Sequence, residues 1–225
     1  METAVVKTII RFPELNLSIR DSHKLRGYFG NMFKNESPLI HNHYDDGTSI
    51  YKYPLVQYKV IKGIPVLLGL NEGAELLEEL FFRITELKID GSIYRIESKN
   101  IEKCHDKIGV FPNSYRYTFL TLWMGLNEIN YKRYVHSVEK EKKDELLRNI
   151  LTGNILSLYK CMGYREKERI SMTVVLEQKE TNFKGNVMNA YSGEFFTNAL
   201  LPSYSGLGKS VSRGFGTVST PTLIK

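Results

Sequence analysis

"SIYKYPLVQYKVIKGIPVLLGLNEGAELLEELFFRI", Ser49 to Ile84, holds the pattern that decides the fold. "SIYKYPLVQYKVI" and "IPVLLGL" have strand composition and flank Lys62-Gly63, a strand–turn–strand signal. "NEGAELLEELFFRI" follows as an amphipathic helix with Asn71 placed to cap it. Upstream, "AVVKTIIRF" (Ala4–Phe12) is a strand that stops at Pro13. "RDSHKLRGYFGNMFKN" is then a helix: Asp21 or Ser22 can cap it, and Leu25, Tyr28, Phe29, Met32 and Phe33 recur at helical spacing. Downstream, "TELKIDGSIYRIESKNIE" reads as a hairpin-like strand pair around Asp90-Gly91. The order strand, helix, strand, strand, helix, strand predicts an α+β, ferredoxin-like βαββαβ domain with both helices on one face of an antiparallel sheet.

The rest of the chain repeats this grammar. "KIGVFPNS" (Lys107–Ser114) is read as the boundary, giving an N-terminal domain over 1–108 and a C-terminal one over 109–225. Beyond it, "YRYTFLTLW" reads as a strand and "SVEKEKKDELLRNILTGNILSLYKCMG" as a long helix ending at Gly163, its charged opening a solvated face. "RISMTVVLEQK" is a strand, and "KGNVMNAYSGEFFTNALL" supplies one or two more. The second helix of this half is weak: only "TNALLPSY" is available, and Pro202 cuts it short.

A chain of 225 residues with 42% hydrophobic and 25% charged residues has a globular composition. Its net charge of +6 makes a polyanion the first partner to consider. Cys104 and Cys161 offer neither metal spacing nor a disulfide framework, which fits a reducing cytoplasm. No uncharged apolar run reaches membrane-spanning length, and "METAVVKTIIRF" lacks the apolar core of a signal peptide.

The segment richest in chemistry is "SGLGKSVSRGFGTV" (Ser205–Val218). Its GKS suggests an ATP-binding loop, but Ser203 stands where the first glycine of that motif belongs, and no helix has room to follow. A dinucleotide loop fails as well, because Val211 replaces the third glycine. What remains is G-L-G, a five-residue spacer holding Lys209 and Arg213, and G-F-G. Glycines let backbone amides approach an anion closely, and the two cations suit phosphates. Leu207 and Phe215 sit at matching places to anchor the loop. A glycine-rich hairpin with no ligand fits the same residues.

G-h-G-x5-G-h-G near a C-terminus, with basic residues in the spacer, resembles the signature of the RAMP proteins of CRISPR systems. Within them, the chain is similar to the endoribonucleases that cut CRISPR precursor RNA inside each repeat. That resemblance implies two tandem ferredoxin-like (RRM-like) domains, CRISPR repeat RNA as partner, and a last strand after the loop, where "FGTVSTPTLI" stands. It assigns Gly206, Gly208, Lys209, Ser210, Arg213, Gly214 and Gly216 to RNA binding. It implies no cofactor or metal, a cytoplasmic protein, and compatibility with a homodimer or with effector-complex subunits.

Metal-free RNA cleavage needs a base for the 2′-hydroxyl proton, an acid for the leaving 5′-oxygen, and a cation for the developing charge. Histidine suits the proton transfers, and the five are His23, His41, His43, His105 and His136. The resemblance implies a histidine about four residues before a glycine that precedes the second strand. His43, ahead of Gly47, matches it and is the first candidate. His41, two residues away on an extended backbone, shares its face as second candidate or partner. His-Asn-His before Asp45 and Asp46 also admits a metal site, without a third ligand at proper spacing. The family's first-helix tyrosine falls at Gly30 and its lysine near Ser49. Tyr28 is the candidate substitute for the first, with Lys24, Lys34 or Lys52 for the second. His23 is either a surface residue or an RNA contact, and His105 and His136 stand outside any constellation. In "NYKRYVH", Lys132 and Arg133 are candidate RNA contacts beside aromatic rings. The alternative to an endoribonuclease is a non-catalytic RNA-binding RAMP protein of an effector complex. A small-molecule-binding or assembly protein of the same build comes third.

Overall fold

The structure is a computed structural model and describes residues 3–34, 36–37, 39–40, 53–183 and 185–224. It divides into two compact units: Ala4–Asp106 together with Val211–Gly214, and Lys107–Ser210 together with Thr3 and Phe215 onward.

The first unit contains β1 (Thr3–Arg11), α1 (Ser22–Met32), β2 (Val56–Ile61), β3 (Ile64–Leu70), α2 (Glu72–Leu80), the hairpin β4 (Glu86–Ile89) and β5 (Ser92–Arg95), and the opening of β6 (Asn100–Thr118). The sheet order is β2-β3-β1-β6, and β1 and β2 both pair antiparallel to β3. Lys62 and Gly63 both have positive φ, as a two-residue turn matched to strand twist requires. α1 lays Leu25, Phe29 and Phe33 into the core, where the Phe29 ring stacks on Tyr58 of β2 at 5.8 Å. α2 adds Leu76, Leu77 and Leu80.

Three local expectations change here. The Asp90-Gly91 hairpin forms, but as a separate two-stranded sheet; the fourth strand of the main sheet is the opening of β6. Asn71 heads α2 at φ 48° without capping it. That backbone turns its side chain toward β1, where Oδ1 accepts from the Val6 amide at 3.3 Å. At α1, neither Asp21 nor Ser22 caps from its own position. Ser18 and Asp21 instead form a capping box around a short 3-10 turn, Ile19–Asp21, that leads into the helix.

The second unit continues β6 and adds α3 (Glu128–His136), α4 (Lys140–Cys161), β7 (Met172–Phe183), β8 (Asn186–Leu200) and β9 (Thr222–Ile224). β8 lies between β6 and β7, and β9 pairs with β6 at Ser114–Arg116. α4 buries Leu147, Leu151, Ile155 and Leu158 along one stripe, and its exposed opening carries the Lys142–Glu139 pair. Tyr159 ties the helix to the sheet: its hydroxyl donates to the Leu200 carbonyl at 2.8 Å and accepts from the Gly109 amide at 3.2 Å.

Lys107–Ser114, read as the boundary, lies within β6. Pro112 falls within the register shift of β6 on β8 between Val110 and Tyr115, where a missing amide breaks no ladder bond. "TNALLPSY" forms no helix. Thr197–Leu200 belong to β8, and pairing with β6, joined at Thr197 by β7, overrides the local propensity. Among the described residues the second unit therefore runs strand, two helices, strand, strand, glycine-rich segment, strand, with that segment standing where a ferredoxin-like domain has its second helix.

Candidate functional site

The two glycine arms are the two sides of a narrow antiparallel ladder. Gly206 bridges Thr217, the Leu207 amide donates to the Gly216 carbonyl at 2.9 Å, and the Val218 amide donates to Ser205 at 3.0 Å. The ladder is bound to 121–124 through the amides of Lys209 (to Met124 O), Gly216 (to Leu122 O) and Thr217 (to Thr121 Oγ1), each at 2.9 Å. Leu207 is fully buried, so it anchors the first arm as its position predicts. Phe215 is half-buried and packs edge-on against Phe183, centroids 5.8 Å apart. Gly216 sits at φ 65°, and a Cβ there would lie 2.0 Å from the Leu207 carbonyl oxygen. Only glycine fits.

These bonds revise the expected anion cup. The amides of Leu207, Lys209, Gly216, Thr217 and Val218 are engaged within the protein, so the arms hold shape and offer few donors to a ligand. The cationic side chains of the segment lie in the spacer. Lys209 is exposed and its ammonium has no acidic partner among the described residues. Val211–Arg213 form a 3-10 turn closed by the Gly214 amide on the Val211 carbonyl at 3.1 Å. Val211 is buried in the first unit, and Gly214 there tolerates no side chain, since a Cβ would meet Ser22 of α1 at 2.8 Å and the Tyr58 carbonyl of β2 at 3.0 Å.

Arg213, half-buried, stands near Arg26 of α1, a residue the sequence reading did not select. The Arg26 guanidinium is pushed below the usual arginine range, first by burial and then by the charge of Arg213. Arg26 follows Ser22 by four residues, one turn along the same face of α1, and only the fold brings that face to the spacer.

His41, His43, Lys52 and Ser49 lie outside the described residues. Tyr28 is on α1 with its ring against Phe29 and its hydroxyl donating to the Glu86 carbonyl at 2.8 Å. Burial, then the neighbouring Glu86, raises its pKa, so the phenol is held protonated. Lys24 is paired with Asp21 and Asp90, which raise its pKa, and Lys34 is exposed. His23 and His136 are exposed with Nδ1 2.6 Å from the Arg20 and Lys132 carbonyls, and His105 is exposed on β6. The described residues contain no cluster of three or more metal-ligating side chains.

"NYKRYVH" proves to be most of α3. Asn127 caps the helix through the Asn130 amide at 2.7 Å, a signal visible in the sequence and not used. Tyr134 is buried and donates to Gln178, so only part of the stretch faces outward. Lys132 is exposed but paired with Glu128 at 2.9 Å, while Arg133 is exposed with no ion pair among the described residues. No described helix is long and apolar enough to cross a membrane.

Comparison with known proteins places both halves. A family model for the Cas6b N-terminal domain matches residues 5–107, and one for the Cas6b C-terminal domain matches residues 109–221. A solved structure of Cas6b is 36% identical, covers 97% of this chain and 100% of its own, and superposes with a TM-score of 0.92. A second, of the CRISPR RNA processing endoribonuclease Cas6b, is 31% identical over 99% of this chain and all of its own, with a TM-score of 0.79. An uncharacterised protein of Methanocaldococcus jannaschii is 36% identical over 141 residues, 62% of this chain and 95% of that protein. With both of its halves matched, the chain belongs to the Cas6b family.

Proposed function

We propose that this protein is a metal-independent endoribonuclease that cuts CRISPR precursor RNA within its repeats. The observation that carries the reading is family membership across both halves, including a solved relative that is a CRISPR RNA processing endoribonuclease. The glycine segment is the part of the structure that supports it. Its arms are fixed to the second unit, and its spacer carries an exposed Lys209 and a half-buried Arg213 suited to backbone phosphates. Gly206, Gly208, Gly214 and Gly216 shape this grip, with Ser210 at its tip and Lys132 and Arg133 of α3 as further backbone contacts.

The chemistry proposed is transesterification. One histidine takes the 2′-hydroxyl proton, the 2′-oxygen bonds to the adjacent phosphorus, the bond to the 5′-oxygen breaks, and a second acid protonates that oxygen. The products are a 2′,3′-cyclic phosphate and a 5′-hydroxyl. His43 is the first choice for one of these proton transfers and His41 for the other. Tyr28, hydrogen-bonded to a backbone carbonyl, serves α1 packing rather than proton transfer in this scheme. The same observation, with Gly30 at the position of the family's helix tyrosine, favours the second reading: an RNA-binding RAMP subunit that does not cut.

A repeat RNA with a single 2′-deoxy substitution separates these readings. The enzyme cuts the all-ribose RNA once, and the deoxy substitution at that site abolishes the cut while binding persists. Binding of the all-ribose RNA without any cut would establish the subunit reading. Lys209→Ala combined with Arg213→Ala is expected to weaken binding and reduce its salt dependence by about one to two phosphate contacts. An unchanged affinity would remove the spacer from the interface.

A further inference from the structure

We propose that Arg26 and Arg213 form a two-guanidinium site for a single phosphodiester of the RNA. The inference rests on the RNA-cleaving reading above and adds to it a residue and a stoichiometry. Arg26 and Arg213 are distant in sequence, yet both belong to the first unit. α1 presents Ser22 and Arg26 one turn apart on the same face. Gly214 is packed against Ser22 and the Tyr58 carbonyl so closely that a methyl group would not fit, and the turn that ends at Arg213 lies against α1. Both arginines are half-buried, and the charge of Arg213 is the largest electrostatic influence on Arg26.

Holding two like charges together in a partly desolvated place is unfavourable, and a bound anion reverses the sign of the interaction. A phosphodiester presents two non-bridging oxygens that share one negative charge, and guanidinium forks match that geometry. One oxygen faces each arginine.

The test measures affinity for repeat RNA made uncleavable by the 2′-deoxy substitution, using wild type, Arg26→Gln, Arg213→Gln and the double variant. Each single variant is expected to bind about 10-fold more weakly, as loss of a charged hydrogen-bonding partner predicts. The double variant is expected to lose little more than either single one, because both side chains act on one phosphate. A methylphosphonate scan of the RNA should find one position whose neutralisation weakens wild type but no longer distinguishes wild type from either variant. Multiplicative losses, wild-type affinity for Arg26→Gln, or two different phosphate positions would each overturn the shared site. If wild type itself fails to bind repeat RNA, the RNA-cleaving reading falls with it. If wild type binds and cuts while Arg26→Gln is indifferent, only this inference falls.

Discussion

Gly214 shows how a single missing Cβ positions a functional segment. Its φ of 87° and its contacts with Ser22 and Tyr58 O mean that Gly214→Ala incurs both backbone and steric cost. The left-handed conformation alone is worth about 1–2 kcal/mol, so urea unfolding should show at least that loss. Unchanged stability would mean that the spacer tip is not packed on α1. Lys59 is a second residue with a large effect, buried in β2 with its ammonium pushed down to about 7 by burial. Its folded pKa lies below the unfolded one, so the unfolded chain binds the extra proton between about pH 7 and pH 10.5. Stability therefore rises with pH across that window, by at most about 1.4 kcal/mol per pH unit. Lys59→Met should flatten this dependence and raise the melting temperature at pH 7. An identical pH profile for the variant would contradict the assignment.

Among the elements, the strands and helices with strong periodicity were legible and their ends were not. The β2–β3 hairpin, α1, α2 and α4 follow directly from apolar spacing and turn residues. Asn71 was misread as a cap because its positive φ, set by packing on β1, is invisible in the sequence. "TNALLPSY" departs from expectation because β6, the strand that pairs with Thr197, Ala199 and Leu200, lies about 80 to 90 residues earlier in the chain. Long-range partners also hold α4. Tyr159 reaches the middle of β6 and the end of β8, so Tyr159→Phe should cost about 1–3 kcal/mol by leaving buried polar groups unpaired. A denaturation midpoint equal to that of wild type would show that these bonds do not hold the helix.

Across the whole molecule, the ferredoxin-like order recurs in both units, and in the second the glycine-rich segment replaces a helix with a ladder and a charged tip. The glycine spacing and the basic spacer could be read from the sequence, because a short motif carries its geometry locally. Arg26 could not, because only folding brings α1 beneath the tip of a segment near the other end of the chain. The cutting role assigned to His43 is tested most directly with end-labelled repeat RNA in EDTA, comparing wild type with His43→Ala. Wild type should make one cut in each repeat, leaving a 5′-hydroxyl and a cyclic phosphate, while His43→Ala binds the RNA and cuts at least about 100-fold more slowly. A cut that requires magnesium, or wild-type cutting by His43→Ala, would contradict the account.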